Sequence, residues 1–278
     1  MQGATVDSFR QSDRRRPVGP AVRHGEQWGR CAVTKLVCLH HAGGNASLFR
    51  PWGRHAPAGL EVVPVTIPVC RESGRRLHRS TEDLIPALAA EIEPHTHGDF
   101  VLFGKSMGGL LAYLLARHFE QCGERRPKAL AVAAFGAPHM PWGGFVAEGA
   151  EGAEDDEDAL LARLRSIGGI PDWLVQHPAW VRPFLGLLRD DTRMCAEYRH
   201  QPQGRPLSVP VRVFAGDHDP LVPRDAFAGW KELGDDVDVR FIPGGHYLVS
   251  QDFGLLRQAI FSLSLCDPSP ACKIPAVN

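Results

Sequence analysis

Apolar residues fall in short runs along this chain, each ending in glycines or charges. Lys35–Leu39 (KLVCL) empties into His40-His41-Ala42-Gly43-Gly44-Asn45, as a buried strand empties into a glycine loop. Leu60–Pro68 (LEVVPVTIP) is a second β-branched run. Ser80-Thr81 followed by Glu82-Asp83 predicts a helix start, continued by Leu84, Leu88 and Ile92, with Pro86 confined to about the first turn. Phe100–Phe103 is a third strand, and Met107–Glu120 is a helix apolar on nearly every face. Ala129–Phe135, Val209–Phe214 and Val237–Ile242 supply three more strands. Helices are expected around Ala226–Leu233 and Gln251–Leu265. Strands alternating with helices imply an α/β fold: a mostly parallel sheet flanked by helices, with functional loops at the carboxyl ends of the strands.

Residues 141–205 break that alternation. They open on an acidic, Gly/Ala-rich stretch (EGAEGAEDDEDA) and continue as helical pieces carrying aromatics and prolines. Such a segment cannot build a core of its own, yet its apolar faces must rest on something, so it reads as a helical lid. The sheet domain is then expected over 31–140 and 206–265. An Arg-rich, aperiodic N-terminal tail (1–30) and a C-terminal tail (266–278) complete the organisation.

Composition narrows the classes of function. Net charge is −1, which gives no whole-molecule reason to expect nucleic acid or a membrane surface as partner. The seven cysteines are scattered without C-x-x-C spacing, so neither a zinc site nor a disulfide framework is signalled, and no metal is expected. No apolar stretch reaches the ~20 residues of a membrane span, and no secretory signal is visible; a cytoplasmic monomer is the expectation.

The chemistry centres on GDFVLFGKSMGG, Gly98 to Gly109. A P-loop requires four residues between its first glycine and Gly-Lys-Ser; here Asp99–Phe103 makes five, most of them strand-like. The other frame is Gly104-Lys105-Ser106-Met107-Gly108, a G-x-S-x-G. There a sharp strand-to-helix turn lifts the serine above the sheet, and glycines permit the close backbone crossing. In that setting Lys105 is an elbow side chain directed away from the serine.

A serine hydroxyl becomes nucleophilic when a histidine takes its proton and a carboxylate fixes the histidine's tautomer. For this motif the partners follow in the order Ser, Asp or Glu, His. Ser106, then Asp219 in the loop after a late strand, then His246 after the last strand satisfy it. His246 is preferred over His40, His41 and His218 for its place in the last-strand loop. Asp217 competes with Asp219, and Pro220-Leu221-Val222 favours the latter as the anchored one. Oxyanion donors are expected at the backbone N–H of Met107, opening its helix, and of Ala42 in the first glycine loop.

Taken together, HHAGGNASLFRPW, GKSMGG, SIGGIPDWL, LLRDDTRMCAEY, GDHDPLV and PGGHYLVS resemble the type II thioesterases of polyketide and nonribosomal peptide synthesis, relatives of the chain-terminating thioesterase of animal fatty-acid synthesis. The resemblance runs from about Lys35 to Leu265. It implies an α/β-hydrolase fold, a triad of Ser106, Asp219 and His246, and oxyanion donors at Met107 and Ala42. It further implies hydrolysis of acyl thioesters from the phosphopantetheine arm of acyl or peptidyl carrier proteins, the substrate bringing that arm and the enzyme needing no cofactor. A free-standing carboxylester or lactone hydrolase, and a non-catalytic carrier-binding protein, are the alternatives. Lid residues Trp173, Leu174, Trp180, Phe184 and Leu185 would either shelter an acyl chain or fasten the lid to the sheet domain. Arg163, Arg165, Arg182 and Arg189 would either meet an acidic carrier or be solvated. Two departures stand out: Lys105 replaces the family's usual His, and Pro68-Val69-Cys70-Arg71 replaces Pro-Gly-Arg.

Overall fold

The computed structural model describes residues 33–123, 125–140, 157–170, 172–202, 205–247 and 254–265. Both expected tails and most of the acidic stretch lie outside the described residues, and so do the side chains of Trp173 and Pro178.

Six strands form one parallel sheet in the order β2-β1-β3-β4-β5-β6. They are β1 (Thr34–Leu39), β2 (Leu60–Pro64), β3 (Phe100–Lys105), β4 (Ala129–Ala133), β5 (Val211–Gly216) and β6 (Val237–Ile242). The helices are α1 (Arg50–Arg54), α2 (Thr81–Ile92), α3 (Met107–Cys122), α4 (Glu157–Ser166), α5 (Asp172–Val175), α6 (Pro178–Glu197), α7 (Arg224–Ala228) and α8 (Gly254–Leu265). Parallel neighbours need crossovers, and the helices between strands supply them. The three helices α4, α5 and α6 all fall between β4 and β5, inside the segment expected to be inserted.

Period-two alternation divides the core between the sheet's faces. Val37 and Leu39 of β1, with Phe100 and Leu102 of β3, join Leu88 of α2 and Leu110, Leu111 and Leu115 of α3. Leu36 and Cys38, with Val101 and Phe103, join Trp52 of α1 and Ile260 and Phe261 of α8. Trp52 stacks on Phe103 at 5.2 Å between ring centroids. Strand β3 is buried along its whole length because both faces are covered and both edges paired. Each large apolar side chain hidden this way contributes about 1.5–3 kcal/mol of transfer free energy, so β3 is an anchor for whatever its carboxyl end carries.

Helix boundaries follow local chemistry. The Ser80 side chain accepts from the Asp83 N–H, and Glu82 and Asp83 occupy the positive first turn of α2. Pro86 is the sixth residue of that helix, one turn later than expected, so its ring removes an internal hydrogen bond rather than an unpaired terminal donor. Helix α3 stops at Gly123, whose φ of 74° closes the last turn onto the Phe119 carbonyl.

Candidate active site

The carboxyl end of β3 turns into α3 at Ser106, which adopts φ 52° and ψ −123°, a strained backbone for a residue with a side chain. The turn is possible because of its glycines. A Cβ on Gly104 would lie 1.9 Å from the Gly108 carbonyl oxygen, and one on Gly108 would lie 2.2 Å from that of Leu39. The backbone is pinned as the Ser106 N–H donates to the Ala133 carbonyl (2.7 Å) and the Gly109 N–H to the Ser106 carbonyl (2.6 Å).

Three distant side chains meet at this turn. Ser106 Oγ lies 2.9 Å from His246 Nε2. On the far side of the ring, His246 Nδ1 lies 2.9 Å and 3.2 Å from the two carboxylate oxygens of Asp219. Asp219 is almost wholly enclosed, with 1% of its side chain exposed. Its Oδ1 also accepts from the N–H groups of Leu221 (2.8 Å) and Val222 (3.2 Å), which fix the direction in which the carboxylate points. Asp217 faces the other way. It pairs with His218 at 2.7 Å and accepts from the Gly244 N–H at 2.9 Å, which holds it below the usual carboxylate range and ties together the loops that follow β5 and β6.

A small cavity of about 20 Å³ adjoins the serine, lined by residues including His41, Ala42, Met107, Leu188, Thr192, Cys195 and Tyr247. That is room for roughly one water and not for an acyl chain. A second cavity, about 500 Å³, shares Cys195 with it and extends past Phe135, His139, Tyr198 and His200.

The described lid residues differ in where they sit. Trp180 is 60% exposed and packs beside His177, because it faces outward on α6. Phe184 is partly buried against Gly43, where a Cβ would meet its ring at 2.9 Å. Neither lines the small cavity: the α6 face that does is Leu188, Thr192 and Cys195. Leu185 is buried in the core and Leu174 packs against it, as fastening residues would. Arg165 pairs with Asp172, and Arg182 and Arg189 approach Glu157.

Several contributors were not legible as site residues. His41 lies beside Ala42, its Nδ1 buried without a hydrogen-bond partner among the described residues; burial, then the charge of Lys105, holds its imidazole well below the usual range and neutral. Tyr247 sets its ring edge-on to both His41 and His246. Lys105 is fully buried, its Nζ 4.7 Å from the centre of the Tyr247 ring, and burial lowers its pKa to about 7 against the opposing pull of Asp219. Lys105 is expected only as an elbow side chain directed away from the serine; its burial against Tyr247 is not encoded by the motif. Among the described residues no group of three or more His, Cys, Asp or Glu is arranged to hold a metal ion.

The family model described as "Thioesterase domain" matches residues 34–260, more than four fifths of the chain. The chain belongs to the thioesterase family. Among relatives of this thioesterase, the AMB antimetabolite synthetase AmbE of Pseudomonas aeruginosa is 32% identical over 218 residues, 77% of the chain but only 10% of AmbE. RedJ, a thioesterase from the prodiginine biosynthetic pathway of Streptomyces coelicolor, superposes with a TM-score of 0.72 at 31% identity, covering 84% of this chain and 91% of RedJ. BorB, a type II thioesterase from the borrelidin biosynthetic cluster, gives 0.71 at 28% identity, covering 84% and 93%. The thioesterase adopts the α/β-hydrolase fold, and no helix among its described residues is long and apolar enough to cross a membrane.

Proposed function

We propose that this thioesterase hydrolyses acyl thioesters carried on the phosphopantetheine arm of acyl or peptidyl carrier proteins, in the cytoplasm, through an acyl-enzyme on Ser106. The observation that carries the reading is the strained Ser106 held 2.9 Å from His246 Nε2, with Asp219 behind the ring. His246 removes the Ser106 proton as Oγ attacks the thioester carbonyl. Negative charge collects on the carbonyl oxygen, within reach of the Met107 and Ala42 N–H groups, each such donor being worth about 2.7–4 kcal/mol in the transition state. Collapse breaks the C–S bond and releases the pantetheine thiol with the proton from His246. The same imidazole then deprotonates water, which attacks the acyl-serine and releases a carboxylic acid and free Ser106. The enzyme needs no cofactor of its own in these steps.

In this reading α4, α5 and α6 form the lid, and the acyl chain runs beneath α6, past Cys195, into the larger cavity. A thiolate leaves readily because a thiol has a pKa near about 8.5, so the site needs little acid assistance at the leaving group. The triad alone attacks esters as well. Turnover of an octanoyl-loaded carrier protein is therefore compared with that of the matched octanoate ester: strong preference for the carrier supports the proposal, and preference for the ester replaces it with a carboxylester hydrolase.

A further inference from the structure

Helix α6 does more than cover the cavity. Phe184, Leu188 and Asp191 are spaced four and three residues apart, so they share one helix face. All three touch the glycine loop after β1. A Cβ on Gly43 would lie 2.9 Å from the Phe184 ring and 3.2 Å from Leu188 Cβ, and Gly43 itself has φ 70°. The third contact is polar: the Gly43 N–H donates to Asp191 Oδ2 at 2.8 Å. Asp191 is wholly buried and is gripped from its other side by Arg76, through Nε at 2.5 Å and Nη2 at 2.7 Å. Arg76 in turn donates from Nη1 to the Ile67 carbonyl at 3.1 Å. An adjacent pair, Arg75 with Asp190, reinforces the join at the surface, and Asp190 also accepts from the Arg76 N–H at 3.0 Å. Burial raises the Asp191 carboxyl above its ordinary range while Arg76 and the Gly43 N–H pull it back.

Gly43 follows Ala42 directly. An N–H held at Gly43 fixes the peptide plane between the two residues, and so limits where the Ala42 N–H can point. We infer that Asp191, clamped by Arg76, is a positioning residue for the oxyanion loop, so that the seating of helix α6 and the aim of the Ala42 donor are set together. Taking a buried Arg76–Asp191 ion pair out of water has little rationale as packing alone, since an apolar pair of the same volume would serve as well or better; what that apolar pair could not do is accept from the Gly43 N–H. When α6 lifts to admit an acyl chain, the loop loses its acceptor; when α6 reseats, the donor is aimed again. The inference rests on the reading of Ala42 as the second donor.

The test compares two double variants, Arg76→Met/Asp191→Asn and Arg76→Met/Asp191→Leu. Both remove the ion pair, and only the first keeps an oxygen for the Gly43 N–H. Turnover of octanoyl-pantetheine is measured per folded enzyme, together with inhibition by an octylthio-trifluoromethyl ketone, whose hemiketal with Ser106 places an oxyanion in the same hole. The leucine variant is expected to lose about 100-fold in kcat relative to the asparagine variant, with KM within about threefold, and to bind the ketone more weakly by a similar factor. Equal kcat in the two variants, or a loss confined to KM with ketone binding unchanged, overturns the inference. If the wild-type enzyme forms no Ser106 hemiketal by mass, the parent reading fails first and this one with it.

Discussion

The carbonyl oxygen of Leu39 stands 2.2 Å from the point where a side chain on Gly108 would begin. Strand β1 and the first turn of α3 therefore touch backbone to backbone directly beside Ser106. Gly108→Ala has no flexible neighbour to push aside and is expected to cost about 3 kcal/mol or more. Gly53, in α1, has nothing within 4 Å of its would-be Cβ, so Gly53→Ala should be neutral or stabilise by up to about 1 kcal/mol. Urea unfolding of the two variants checks the contrast; similar midpoints would contradict it.

Asp219 and Asp217 keep different partners although they are two residues apart: the first faces His246, the second His218 and the Gly244 N–H. Asp219→Asn leaves the shape intact but removes the charge that fixes the His246 tautomer, and roughly a 10⁴-fold fall in kcat is expected, by analogy with the serine-protease triad. Asp217→Asn loosens the contacts to Gly244 and His218, neither of which reaches Ser106, and should cost less than about tenfold. Comparable losses in the two variants would mean that the wrong carboxylate has been assigned.

Lys105 makes stability depend on pH. Its folded-state pKa is about 7 against an ordinary 10.5. Above pH 10.5 neither state holds the proton, between 7 and 10.5 only the unfolded chain does, and below 7 both do. This residue's penalty is therefore complete below pH 7 and fades as pH rises toward 10.5. Lys105→Met should stabilise the fold at pH 7 by about 2 kcal/mol or more, and by distinctly less at pH 9.5. Urea titrations at the two pH values measure the difference; a stabilisation that does not shrink at the higher pH rejects the buried-lysine account.

Local periodicity makes much of the fold legible in the sequence. Strand β6 occupies the residues its β-branched alternation predicts, and the elbow glycines announced the turn at Ser106. Boundaries slipped where burial and pairing part company. The run after Val63 stays apolar, and Ile67 is fully buried, yet the ladder ends at Pro64 and Ile67 gives its carbonyl to Arg76. Composition registers the burial and cannot register the missing neighbour. Strand β5 starts at Val211, after Pro210, which has no N–H for a ladder, and runs on to Gly216.

Chain order and loop position singled out Ser106 and His246, and the anchoring residues after Asp219 favoured it over Asp217. What stayed hidden were contacts that no period encodes. Trp180 shares a helix with the cavity-lining residues but faces outward, and Phe184 shares a face with Leu188 but lies one turn away, against Gly43; which face turns inward depends on what α6 rests upon. The Arg75-Arg76 and Asp190-Asp191 doublets have opposite charge and lie more than a hundred residues apart. Only the folded chain joins them.

Intact-mass measurement after brief mixing with an octanoyl-loaded carrier protein addresses the central claim most directly. Wild-type enzyme should release octanoate and pass through a species heavier by one octanoyl group, mapped by peptide digestion to Ser106, while Ser106→Ala stays unmodified, folded and at least about a thousandfold slower. Rapid hydrolysis by Ser106→Ala, or an acyl group mapped to another residue, would contradict the account.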